Sequence, residues 1–140
     1  MRVEIRPYDP SDFERLREMY SDSGEICMGI PSSYAETWIR CLSDGISIIA
    51  ELNGKLVGHA VVTPLNGREV SLCVHVRKGF RRMGIGSMMV RYLADVCRRR
   101  GYERIRIVTD EKAVGFFKKM GFKIVRVGYG YEMVLDLTRL

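Results

Sequence analysis

The feature that most constrains this chain is an apolar strand that runs into a basic turn with glycines and then straight into a helix. Residues Val70–Ser87 read VSLCVHVRKGFRRMGIGS, and a helical pattern continues from Ser87 to about Arg100. A helix start gathers unpaired backbone N–H groups and the positive end of the helix dipole at one point. Gly84 and Gly86 carry no side chain there, so an anion can approach the backbone closely. Arg81 and Arg82 add positive charge beside it. The stretch is a diphosphate cradle in principle.

Two familiar cradles fail on their letters. A P-loop, GxxxxGK(S/T), needs a lysine after its second glycine, but Gly84 is followed by Ile85 and Gly86. A dinucleotide fingerprint, GxGxxG, needs a third glycine where Met89 stands. What remains is R-x-x-G-x-G, formed by Arg81, Gly84 and Gly86 after a strand.

The order of elements narrows the choice. Arg2–Arg6 alternates and reads as a first strand. Asp9 or Ser11 caps a helix over Asp12–Tyr20, with Phe13, Leu16 and Met19/Tyr20 on its apolar side. Ser21–Pro31 reads as a loop, and Ser32 and Ser33 cap a second helix striped by Tyr34, Trp38, Ile39 and Leu42. Ile46–Glu51, Lys55–Thr63 and Glu69–Val76 are strands joined by short turns, the first of them at Asn53-Gly54. Such a meander is antiparallel and excludes a Rossmann unit.

After the cradle, Ile85, Met89, Leu93 and Cys97 recur every four residues and cover one face of the sheet. Arg104–Val108 is a strand parallel to the one before the crossover helix. Glu111–Met120 is a helix stopped by Gly121. Phe122–Val127 and Glu132–Leu137 form a closing hairpin around Gly128–Tyr131. The order is β-α-α-β-β-β-α-β-α-β-β, an α/β (α+β) arrangement. It implies a mixed, mostly antiparallel central sheet of about seven strands flanked by about four helices. The chain reads as one domain over residues 1–140.

Composition excludes several classes. With 140 residues and 46% hydrophobic content the chain can bury a core. It has no apolar run long enough for a membrane helix, and MRVEIRPYDP lacks the apolar core of a secretory signal. Of the four cysteines, Cys41, Cys73 and Cys97 sit in apolar patterns and read as reduced core thiols. A cytoplasmic, disulfide-free protein is the expectation. The net charge of +6 gathers at the cradle and at helix ends rather than on a basic face interleaved with aromatics, which argues against nucleic acid as partner.

The R-x-x-G-x-G turn resembles the pyrophosphate loop of the GNAT family of N-acetyltransferases, whose pattern is Q/R-x-x-G-x-G/A. A second stretch supports the resemblance. The family commonly carries N-x-x-A-x-x-x-Y-x-x-x-G-F after its fifth strand, and this chain reads DEKAVGFFKKMGF. Ala113, Gly121 and Phe122 stand in register, while Asp110 replaces the asparagine and Phe117 the tyrosine. The element order is similar to the family's along essentially the whole chain.

The resemblance implies that the fourth and fifth strands splay and that acetyl-CoA, the co-substrate, enters between them without a metal. The pantetheine arm would pair with the backbone of Val74, His75 and Val76. The pyrophosphate would meet the N–H groups of Arg82, Met83, Gly84, Ile85, Gly86 and Ser87, with help from Arg81. Asp110 and Phe117 would border the coenzyme. An amine, on a small molecule or a protein, would attack the thioester directly. A backbone N–H at Val76 or a neighbour would hold the oxyanion. The family also allows a homodimer through a strand edge.

The proton-transfer groups stay open. Phe117 cannot donate the proton that the family tyrosine supplies. The positions where relatives place a base on the fourth strand hold Val70 and Leu72, while Glu69, Ser71, Cys73 and His75 alternate to the other face. His59 and His75 read as structural, Glu51 as a strand terminus, and Tyr129 and Tyr131 as hairpin packing. Ile105 stands where ribosomal-protein N-terminal acetyltransferases often have a glutamate, which argues against that acceptor. A second reading is therefore a domain on the same fold that binds acyl-CoA without turning it over.

Overall fold

The computed structural model describes residues 2–22, 38–39 and 45–139. Among these residues seven strands form one sheet: β1 (Val3–Pro7), β2 (Ile46–Leu52), β3 (Lys55–Pro64), β4 (Glu69–Val76), β5 (Arg104–Thr109), β6 (Lys123–Val127) and β7 (Tyr131–Asp136). Their spatial order is β1-β2-β3-β4-β5-β7-β6. Every neighbouring pair is antiparallel except β4 and β5, which are parallel. The antiparallel meander and the single parallel crossover match the expectation from the sequence.

Among the described residues three α-helices are complete: α1 (Phe13–Ser21), α2 (Ile85–Arg99) and α3 (Glu111–Lys119). The helix expected after Ser32 and Ser33 lies outside the described residues, apart from Trp38 and Ile39, which are helical. The N-terminal cap falls on Asp9, whose side chain accepts from the Ser11 N–H at 2.9 Å. It opens a 3-10 turn over Pro10–Asp12, so α1 begins only at Phe13.

Strand alternation divides the core in two. On one face, α2 lays Ile85, Met89, Val90, Leu93 and Cys97 against apolar residues of β2 to β5 and β7. On the other, α1 buries Leu16, Met19 and Tyr20 with Ile49 and Leu56. Each fully buried Leu, Ile or Met contributes about 1.5–3 kcal/mol. Ions fasten α1 to the sheet. Asp12, only 2% exposed, takes Arg6 at 2.8 Å and Arg15 at 2.9 Å, and Glu51 takes Arg6 at 2.6 Å. The Arg6 hydrogen bonds hold the Asp12 carboxyl well below the usual carboxylate range against the opposing effect of burial.

The cysteine expectation holds for Cys97, a buried free thiol whose pKa burial pushes up to about 11. It fails for Cys73, which is disulfide-bonded, so the disulfide-free reading is corrected. An apolar sequence pattern marks the strand, but alternation turns Cys73 away from the Leu72 and Val74 side, off the α2 core.

Candidate active-site cleft

The central parallel pair is short. Glu69, Val70 and Ser71 pair with Arg104, Ile105 and Arg106, and there the pairing ends. Beyond it, β4 runs on to Val76 and β5 to Thr109. β5 stays paired with β7 through Thr109, so it is the β4 side that parts from it. The fork opens a cleft of about 800 Å³. One wall is Leu72–Val76, and the other is Ile107–Asp110 with Ala113, Phe116 and Phe117 of α3.

The basic turn closes the end of this cleft. Arg82 and Gly84 both take left-handed backbone conformations, with φ of 63° and 82°. A side-chain-bearing residue such as Arg82 seldom adopts that region, and such strain concentrates at ligand-binding turns. Gly84 is the N-cap of α2 and makes no side-chain cap. The first-turn N–H groups therefore face the cleft end without a capping oxygen. A Cβ on Gly86 would lie 3.3 Å from Cζ of Phe116 and 3.6 Å from a Val76 methyl. The turn thus sits tightly between the end of β4 and α3.

Of the twelve residues singled out in the sequence, eleven line the cleft and Met83 does not. The Arg81 side chain folds back, its Nε donating to the Val76 carbonyl at 3.1 Å. Asp110 caps α3 by accepting from the Ala113 N–H at 3.2 Å, so its carboxylate already has a structural task. Phe117 is 3% exposed, edge-to-face with Phe116 at 4.9 Å and with Phe122 at 5.3 Å.

The His75 ring packs on Tyr20, with centroids 4.9 Å apart, on the α1 face. Its Nε2 is buried without a hydrogen-bond partner among the described residues. Burial, with the Arg81 charge adding, lowers its pKa to about 4. His59 is fully buried, with Nδ1 2.6 Å from the Tyr20 hydroxyl and Nε2 2.6 Å from Ser47 Oγ. Burial, and then His75, lowers its pKa to about 3. Both rings are neutral at physiological pH.

Other carboxylates near the fork are engaged. Glu69 takes Arg104 at 2.7 Å and Arg106 at 3.2 Å, and Arg106 also donates to Glu132 at 2.6 Å. The Arg106 and then the Arg104 hydrogen bonds lower the Glu69 pKa. Glu51 is held by Arg6 and Arg15, and Tyr129 is fully exposed.

Sequence reasoning missed Phe80, Ile107, Val108, Thr109, Phe116 and Lys119, which also line the cleft. The fork itself would have found several of them. If β4 and β5 part, the wall opposite β4 must be the last residues of β5 and the face of α3 that carries Ala113 and Phe116.

Residues 13–122 match the family model described as Acetyltransferase (GNAT) family. Solved structures share the whole fold. An acetyltransferase of the GNAT family from Staphylococcus aureus superposes with a TM-score of 0.81 at 20% identity, over 97% of this chain and 99% of that one. The PaiA N-acetyltransferase of Thermoplasma acidophilum, solved in complex with coenzyme A, gives 0.78 at 19% identity over 97% and 99%. An aminoglycoside 6′-N-acetyltransferase complexed with coenzyme A gives 0.79 at 20% identity over 96% and 97%. The forked sheet and the matched model together define an acetyltransferase-class domain. The chain belongs to the GNAT acetyltransferase family. Among the described residues no helix is long and apolar enough to cross a membrane.

Proposed function

We propose that this protein is an N-acetyltransferase that moves an acetyl group from acetyl-CoA to a primary amine by direct attack on the thioester. The observation that carries the reading is the fork between β4 and β5, which ends at the uncapped start of α2. An unpaired strand edge beside a gap offers N–H and C=O groups to an extended chain with amides of its own, as a pantetheine arm has. A helix start with two left-handed residues before it offers N–H groups to a diphosphate. The two lie end to end in one cleft, in the order in which coenzyme A carries those groups.

The chemistry follows from that placement. The attacking amine must be neutral, so its proton leaves through a base or water before or during attack. Nitrogen bonds to the thioester carbon, the carbonyl oxygen takes the charge, and a backbone N–H at Val76 or a neighbour stabilises it. The C–S bond then breaks and the thiolate departs. Phe117 packs beside this region but supplies no proton, so the thiolate leaves as such or takes a proton from water. We assign no side chain as base: Glu51, Glu69 and Glu132 are tied to arginines, Asp110 caps α3, and both histidines belong to the α1 face of the core.

Release of free coenzyme A thiol from acetyl-CoA, measured across a panel of alkylamines, polyamines, amino acids and peptides, tests the reading. Amine-dependent release, with the acetylated product seen by mass spectrometry, is the expected result. Tight binding of acetyl-CoA with no release for any amine would contradict turnover and favour a domain that only holds the ligand.

A further inference from the structure

We propose that the Cys73 disulfide is a thiol-exchange site of the cleft, where the free thiol of coenzyme A opens the bond and stays attached to Cys73 as a mixed disulfide. The inference rests on the acetyl-CoA reading above.

The observation behind it is a disulfide in the wall of the cleft. Cys73 lines the fork between β4 and β5 and is disulfide-bonded. Cys97 is a free buried thiol, so the partner of Cys73 lies outside the described residues, where the sequence holds Cys27 and Cys41. A disulfide sealed in a core is shielded from thiols, whereas Cys73 is only half-buried. Access of this kind governs the rate of thiol–disulfide exchange.

Position follows from the strand. The pairing of β4 with β5 stops at Ser71, and Cys73 stands two residues further on. The basic turn follows the far end of β4, after Val76. A coenzyme with its diphosphate at the turn and its pantetheine arm along Val76, His75 and Val74 carries its thiol toward the Val74 end. Cys73 is the next residue, about 3.3 Å along the strand. Alternation puts Cys73 and His75 on the same face of β4. The buried His75 Nε2, which has no partner among the described residues, gives that face a polar atom for an incoming S–H group.

The exchange balances without an added oxidant. The coenzyme A thiolate attacks the Cys73 sulfur, a new S–S bond forms, and the bond between Cys73 and its partner breaks. The partner cysteine leaves as a thiolate and takes up the proton that coenzyme A gave up. Acetyl-CoA holds its sulfur in a thioester and cannot react in this way. Free coenzyme A, the product of transfer, can. The adduct then occupies the cleft that the next acetyl-CoA needs, until a dithiol reductant removes it.

Mass spectrometry of the intact protein and of its peptides, on protein purified without reductant, tests this. Incubation with coenzyme A should add one coenzyme A to the Cys73 peptide and free one cysteine thiol. Pantetheine has the same thiol arm without the diphosphate, and at equal concentration it should react at least about tenfold more slowly. Excess acetyl-CoA should slow the adduct, dithiothreitol should remove it, and a folded Cys73→Ser variant should form none. No adduct in a protein that binds acetyl-CoA by calorimetry would overturn this inference and leave the acetyl-CoA reading standing. Equal rates with pantetheine, or an undiminished adduct in Cys73→Ser, would overturn it too. If acetyl-CoA does not bind, the acetyl-CoA reading fails, and this inference with it.

Discussion

Gly86 and Phe116 meet across the mouth of the cradle, so closely that even a Cβ on Gly86 would need the ring to give by a few tenths of an ångström. A Cβ on Gly86 would stand 3.3 Å from Phe116 Cζ. Replacing Gly86 with Asp should displace the phenyl ring and place a carboxylate where a diphosphate would bind. Acetyl-CoA affinity should fall at least tenfold, about 1.4 kcal/mol. Titration of the variant, with circular dichroism to verify folding, checks this. A folded Gly86→Asp protein that binds as tightly as the parent would show that the turn is not the cradle.

The histidines give a pH signature. His59 and His75 face each other across β3 and β4 and are both buried neutral, with pKa values of about 3 and about 4. Around them stand Tyr8, Tyr20 and Trp38, with the Arg81 charge acting on His75. Above the unfolded value of about 6.5 neither ring affects stability. Below it, the unfolded chain takes up protons that the native state refuses, so stability falls with pH. The loss continues to about pH 4 for His75 and about pH 3 for His59, then levels off. Denaturant unfolding should show a loss of roughly 4 kcal/mol between pH 7 and pH 5. Asp12 and Glu69, with lowered pKa values, act only at more acidic pH. A flat profile between pH 7 and pH 5 would contradict the buried neutral pair.

Phe117 is as much a core residue as a wall of the cleft. Truncation to Ala opens a cavity between Phe116 and Phe122 and should cost about 3–5 kcal/mol. Thermal or urea unfolding measures it, and a loss below about 1 kcal/mol would mean that the ring is not packed as described.

Asp110 separates a cap from a ligand contact. Asp110→Ala removes the acceptor of the Ala113 N–H and should cost about 1 kcal/mol, while Asp110→Asn keeps the cap. Equal stability of the two variants would contradict the capping role.

Much of this was legible because it was local. The meander follows from Asn53-Gly54 and period-two alternation, and the crossover follows from a four-residue apolar repeat between two strands. The turn announced itself by Arg81, Gly84 and Gly86. What stayed hidden depends on residues far apart in sequence. The end of the β4–β5 pairing at Ser71 and Arg106 leaves no mark in either strand; only the resemblance implied the splay, and the wall of Val108, Thr109 and Phe116 is the consequence of it that sequence reasoning missed. The Arg6–Glu51 pair joins residues 45 apart. Asp110 stood where the family keeps an asparagine, yet its capping geometry shows only once α3 is seen to start after it. Cys73 reads as a thiol because strand pattern carries no information on which distant residue it meets.

The central claim is that the fork and the turn hold the acyl-CoA co-substrate, and a thermal melt with and without ligand tests it most directly. Acetyl-CoA and free coenzyme A, each at about one hundred times its dissociation constant, should add roughly 2.7 kcal/mol of stability. For a domain of this size that raises the melting temperature by several degrees. The account predicts a clear rise with both ligands. No rise with either at millimolar concentration would contradict it, since a cleft that holds the coenzyme in the folded state alone must stabilise that state.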